Sequence, residues 1–139
     1  FVRNPFDRLY SAYIFLRSGG MNDLDKLAFN NYLSSFVDFE DFVLNGLDNK
    51  LIYKITHFIP QYEFLCDKRE KILVDFVGRF ETLNDDIKLL SKKLNMNIKL
   101  NHYNSSNKEE YTNIYTGEMI KVVANVYQKD LSIFNYKFK

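Results

Sequence analysis

Phe1-Val2-Arg3-Asn4-Pro5-Phe6-Asp7-Arg8-Leu9-Tyr10-Ser11-Ala12-Tyr13 is the stretch from which the rest of the chain can be read. Phe1-Val2 is a short apolar stub that reads as the end of a strand. Asn4-Pro5 breaks it, because the residue before proline is driven out of the αR region. Pro5 then suits the first turn of a helix, where a missing N–H costs nothing. From Phe6 to Arg17 the apolar residues Phe6, Leu9, Tyr10, Tyr13, Ile14 and Phe15 recur at helical spacing. Gly19-Gly20 ends that helix. The opening is therefore strand, turn, helix.

The same unit recurs downstream. Ile72-Leu73-Val74-Asp75-Phe76-Val77-Gly78 is a nearly unbroken β-branched and aromatic run, which predicts a strand covered on both faces, as in a parallel sheet. It leads through Arg79-Phe80-Glu81 to Thr82, a suitable N-cap, and to an amphipathic helix over 83–94 with Ile87, Leu89, Leu90 and Leu94 inward. Between the two units the periodicity predicts helices over 22–33 and 38–47 and helical spacing over 51–59, ended by Pro60. Tyr62 to Cys66 is a short strand candidate, and Asp67-Lys68-Arg69-Glu70-Lys71 a solvated turn. Residues 98–108 are polar and loop-like. Thr116 caps a last helix running to about Ile133, with Met119, Ile120, Val123, Val126, Tyr127, Leu131 and Phe134 inward, and a docking tail follows at 135–138. The layout is α/β. Only two or three strands are visible, fewer than a self-sufficient doubly wound sheet generally has.

Composition narrows the class. The chain has 139 residues, 46% of them hydrophobic and 27% charged, which suits one globular domain. Nineteen Lys and Arg against eighteen Asp and Glu leave a net charge of +1, so a nucleic-acid partner is not expected. Aromatics reach 17% with no Trp, which demands a large buried area. The single cysteine, Cys66, excludes an internal disulfide and reads as a small buried hydrophobe. No apolar run approaches the roughly 20 residues of a membrane helix. With only His57, His102 and Cys66 as soft ligands, no metal site is expected.

The constellation that carries chemistry is Arg3-x-Pro5-x-x-Arg8-x-x-Ser11-x-Tyr13. Arg3 stands where a strand ends, and open α/β sheets place ligands at the carboxyl ends of their strands. A guanidinium there offers a fork of donors matched to phosphate oxygens. Ser11 adds a neutral donor from the second turn of the helix, whose N-terminus favours an anion. Arg8 and Ser11, three residues apart, are neighbours on one helix face. The competing reading is an arginine paired with a carboxylate such as Asp7, beside a serine that merely packs. Neither G-x-x-x-x-G-K-[ST] nor G-x-G-x-x-G occurs, so no complete phosphate cradle is written here.

This opening motif resembles the 3′-phosphate-binding motif of sulfotransferases that use 3′-phosphoadenosine 5′-phosphosulfate (PAPS). It is most similar to the carbohydrate branch, with heparan sulfate 2-O-sulfotransferase, the chondroitin 4-O-sulfotransferases and bacterial relatives. Three later segments strengthen the resemblance. His57-Phe58-Ile59-Pro60-Gln61-Tyr62 resembles the family's segment before its next core strand. Val77-Gly78-Arg79-Phe80-Glu81-Thr82-Leu83-x-x-Asp86 is similar to its VGR/K-x-E-x-L-x-x-D signature. Asn104-x-Ser106, Tyr111, Tyr115 and Val123-x-x-x-Tyr127-x-x-Asp130-Leu131-x-x-Phe134-x-Tyr136-x-Phe138 resemble its last helix and tail.

The resemblance implies a P-loop-type three-layer fold with a parallel sheet, of which residues 1–139 would be the C-terminal part. The first strand, the loop that binds the 5′-phosphosulfate and the catalytic base would then lie upstream of Phe1. It implies transfer of a sulfuryl group from PAPS to a hydroxyl of a glycan or another acceptor. Arg3 and Ser11 are implied contacts to the 3′-phosphate, and Arg8 is a motif position with a structural or secondary role. Arg79 follows a strand end and would approach the cofactor, with a salt bridge to Glu81 or Asp86 as the competing reading. Asn104 and Ser106 sit on a loop implied to close over the adenosine diphosphate part. His57 is a weaker candidate base, because the family's base comes earlier. An incomplete sheet would expose an unpaired edge, so self-association into a homo-oligomer is expected. The alternatives are a non-catalytic nucleotide-binding remnant or interaction module, and a nucleotide-kinase-like fold. A bacterial, cytoplasmic setting is favoured over the Golgi lumen of animal-type relatives.

Overall fold

Helix α1 (Pro5–Arg17) is the axis of the structure, a computed structural model describing residues 1–100 and 109–139. The side chain of Asn4 accepts from the Phe6 N–H and starts the helix, with Pro5 in its first turn. Gly19 and Gly20 end it at φ 100° and 61°. Phe6, Leu9, Tyr10, Tyr13 and Leu16 form its buried stripe.

Gly20 is required twice over. It occupies the left-handed region, and a Cβ placed on it would run into the Asp25 side chain. Asp25 in turn accepts from the Met21 N–H at 2.9 Å. Gly20→Ala is expected to lower stability by at least about 1–2 kcal/mol, the left-handed cost alone. An unchanged urea midpoint would overturn this.

α2 (Asp23–Tyr32) and α3 (Phe39–Asn45) are capped by Asn22 and Asp38. α1 packs on α2, and α3 on α7 (Gly117–Val126). The last helical stretch is divided at Tyr127 into α7 and α8 (Gln128–Ile133), with Thr116 capping α7. Residues 51–59 form two short 3-10 turns, Leu51–Tyr53 and Thr56–Phe58, rather than one helix. Tyr111–Ile114 is the one-turn helix α6.

The aromatic excess becomes a continuous ladder of rings. It runs from Phe138 to Phe6 (5.1 Å), Tyr115 (5.5 Å), Phe39 (5.4 Å), Tyr13 (5.1 Å), Phe42 (5.4 Å) and Phe58 (5.5 Å). Edge-to-face and stacked pairs of this kind add to the effect of area burial. The ladder ties the tail at 135–138 onto α1.

The parallel sheet does not form among the described residues. Two isolated bridges stand in its place: Val2 with Arg79, parallel, and Cys66 with Ile72, antiparallel. Segment 72–78 is paired only at its ends. Leu73 is 66% exposed and Val74 41%. A β-branched run specifies an extended backbone that can enter a sheet. It does not supply the neighbouring strands or the second layer that would bury it. Helix α5 (Leu83–Leu94) follows the same logic: its apolar side has no buried residue, with Leu89 and Leu94 exposed. Thr82 does not cap α5, since its hydroxyl donates to Asp86 Oδ2 at 2.9 Å. Tyr62–Leu65, expected as a strand, is the one-turn helix α4. The charged turn is as read, with Asp67 Oδ1 accepting from the N–H groups of Arg69 and Lys71.

Candidate functional site

The single parallel rung aims the first functional side chain. Val2 donates its N–H to the Gly78 carbonyl at 2.8 Å, and its own carbonyl accepts from Phe80 N–H at 2.8 Å. Val2 is buried, and Arg3 emerges just beyond the rung. Asn4, next in line, donates its N–H to Glu81 Oε1 at 2.6 Å before α1 begins.

The Arg3 guanidinium is held on three sides. Nε donates to Asp7 Oδ2 at 2.6 Å, one turn into α1. Nη1 donates to Ser11 Oγ at 3.2 Å, one turn further. The Phe80 ring lies under Cζ at 4.1 Å, within cation–π range. The side chain is 19% exposed, so its charge sits partly out of water. Arg3 and Ser11 are thus brought together, and the carboxylate pairing with Asp7 is present as well. The two are compatible. Asp7 occupies the Nε edge and orients the fork, while Ser11 accepts from Arg3 and keeps its own O–H proton to donate.

Arg8 and Ser11 share a face by spacing, yet Arg8 turns inward. Its Nη1 donates to the Ile59 carbonyl at 2.9 Å. Burial pulls its guanidinium below its ordinary value, with Tyr127 and Asp130 opposing that shift. Tyr127 donates to the Phe58 carbonyl at 2.8 Å. Asp130, fully buried, accepts from the N–H groups of Gln61 and Tyr62, both at 2.8 Å. Burial pushes the Asp130 carboxyl up, and these N–H donors and Arg8 hold it back. Three side chains therefore fix four backbone groups of the turn at 58–62. Gln61, at its end, reaches back to Arg3.

The family model described as the Sulfotransferase family matches residues 1–137. The chain belongs to the sulfotransferase family. None of the curated proteins compared with it matches, and none of the solved structures does. The motif positions read from Arg3 through Asp86 to Tyr136 all fall within the matched residues.

In this sulfotransferase chain the Arg79 side chain is engaged by the C-terminal tail. Its Nη2 donates to the Phe134 carbonyl at 2.6 Å, and its Cζ lies 4.6 Å from the centre of the Tyr136 ring. Asp86 meets it only at the backbone, accepting from the Arg79 N–H at 2.6 Å. The competing salt bridge to Glu81 or Asp86 is not made by the Arg79 guanidinium. Arg79 borders a cleft of about 480 Å³ with Asn4, Glu81, Tyr111, Tyr136 and Lys137. Tyr136 donates to Glu81 Oε2 at 2.8 Å, and burial and that carboxylate push its phenol up.

Asn104, Ser106 and His102 lie outside the described residues of the sulfotransferase chain. His57 Nε2 stands 3.7 Å from Asp25 Oδ1, with its ring on Phe15. Cys66 is half-buried, and desolvation, Asp130 and Asp67 push its thiol up. Among the described residues no group of three His, Cys, Asp or Glu stands close enough for a metal ion. No helix there is long and apolar enough to cross a membrane.

Spacing finds Arg3 and Ser11 but not the part played by Gln61 and Asp130. The available signals were weak: a polar residue directly after Pro60 in an apolar run, and a lone acid on the inward face that carries Tyr127 and Phe134.

Proposed function

We propose that this chain forms the 3′-phosphate end of a PAPS site in a sulfotransferase acting on a carbohydrate hydroxyl. The observation that carries the reading is Arg3 held beside Ser11 at 3.2 Å, at the end of a parallel rung and the start of α1. The residues fit an anionic group: a guanidinium fork whose Nε edge is already oriented by Asp7, a hydroxyl with a proton to give, and a helix N-terminus. PAPS supplies the sulfuryl group, which passes to the acceptor oxygen as the bond to the 5′-phosphate oxygen breaks and a base takes the acceptor's proton. Arg3 and Ser11 bind and orient the nucleotide. Arg8 serves the site indirectly, through the Ile59 carbonyl. Arg79 adds positive charge from the neighbouring cleft. Asn104 and Ser106 belong to the reading as the polar loop over the adenosine diphosphate part.

The test is a sulfuryl-transfer assay of the full-length protein with PAPS and a panel of glycans, with simple phenols and amines as competing acceptors. Transfer to a glycan hydroxyl is the expected result. Transfer to phenols alone would remove the carbohydrate assignment, and no turnover of PAPS with any acceptor would remove the enzymatic one.

A further inference from the structure

The Arg3 backbone lies in a gap in main-chain bonding. The rung ends at Val2, and α1 opens with Pro5, which has no N–H. Among the described residues neither the N–H nor the carbonyl of Arg3 bonds to another backbone group. Both are taken by one side chain. Gln61 Oε1 accepts from the Arg3 N–H at 2.8 Å, and Gln61 Nε2 donates to the Arg3 carbonyl at 2.9 Å. This is the two-point pairing a neighbouring strand would make, supplied by an amide 58 residues away.

The amide can point only one way. Its second Nε2 proton goes to Asp130 Oδ2 at 3.3 Å. Reversing it would set an NH₂ against the Arg3 N–H and an oxygen against a carboxylate. Asp130 also holds the Gln61 main chain, and Gln61 is 7% exposed. All three hydrogen-bonding valences used here are matched.

From this geometry we infer that Gln61, anchored by Asp130, is a positioning residue that sets the aim of the Arg3 guanidinium toward the ligand's 3′-phosphate. The inference rests on the phosphate reading of Arg3 given above. A clamp on both backbone groups of Arg3 fixes where its side chain starts. Asp7, Ser11 and Phe80 then fix where it ends.

The experiment measures Kd by calorimetry on the full-length protein for 3′-phosphoadenosine 5′-phosphate and for adenosine 5′-phosphate, which lacks the 3′-phosphate. The variants are Gln61→Ala, Gln61→Met, Arg3→Ala and the double variant Gln61→Ala with Arg3→Ala. Gln61→Met keeps the length of the side chain and fills its space, so it covers the case in which the alanine variant does not fold. Gln61→Ala or Gln61→Met is expected to weaken binding of the 3′-phosphorylated ligand roughly tenfold. Adenosine 5′-phosphate binding is expected to be unchanged, and the loss should vanish once Arg3 is absent. Equal weakening of both ligands, or a loss that persists without Arg3, would mean a merely structural role and overturn the inference. So would unchanged affinity in a folded Gln61 variant while Arg3→Ala is impaired, which leaves the phosphate reading intact. If Arg3→Ala itself is harmless, the phosphate reading fails and this inference with it.

Discussion

Arg3→Ala is expected to weaken binding of 3′-phosphoadenosine 5′-phosphate to the full-length protein by about 2–3 kcal/mol, roughly 30- to 150-fold in Kd. Hydrogen bonds to charged groups are the strong ones, and here the guanidinium is only 19% exposed, so water competes weakly for it. Its fork is also prearranged by Asp7, Ser11 and Phe80, which means little ordering is left to do on binding. Arg3→Lys should recover only part of the loss. An ammonium keeps the charge but cannot hold Asp7 at one edge, Ser11 at another and a planar face on Phe80 together. Calorimetry showing unchanged affinity for Arg3→Ala would remove the 3′-phosphate assignment.

Phe42→Ala is expected to cost about 3–5 kcal/mol of folding stability, a large share of what a domain of this size has. Phe42 is fully buried. It stacks on Tyr13 at 5.4 Å and on Phe58 at 5.5 Å, and meets Phe36 edge-on at 5.7 Å. Truncation opens a hole between α1, α3 and the turn that carries Gln61. Three aromatic walls are poorly able to collapse into that space. Phe42→Leu, which refills most of the volume, should cost clearly less. Urea unfolding with a loss below about 1 kcal/mol for the alanine variant would contradict this account of the core.

The helical half of the fold was legible because its signals are local. Asn4-Pro5 and Gly19-Gly20 mark both ends of α1 within a few residues, and Thr116 caps α7 as read. Segments whose fate depends on distant partners were not legible. The run Ile72–Gly78 has strand composition, but composition cannot say whether a second strand lies beside it, and here pairing stops at its ends. Tyr62–Leu65 is four apolar-rich residues, too short for periodicity to separate strand from helix. The site divides along the same line. Arg3, Asp7 and Ser11 lie at four-residue spacing over two turns and could be grouped by counting. Gln61 and Asp130 are 69 residues apart, and nothing in either neighbourhood points to the other. Arg79 follows a strand-like run, as expected of a ligand, yet it is engaged by the tail at Phe134 and Tyr136.

The stitching around Asn4 bears on the order in which the molecule assembles. Asn4 Nδ2 donates to the Lys137 carbonyl at 3.0 Å, across 133 residues, while its N–H reaches Glu81 and its neighbour Arg3 is gripped by Gln61. Helices can form early from nearby residues, but these contacts close loops of 58 to 133 residues and bear a large closure entropy. The arginine pocket is therefore expected to close late in folding, and the proposed nucleotide binding to require the finished fold.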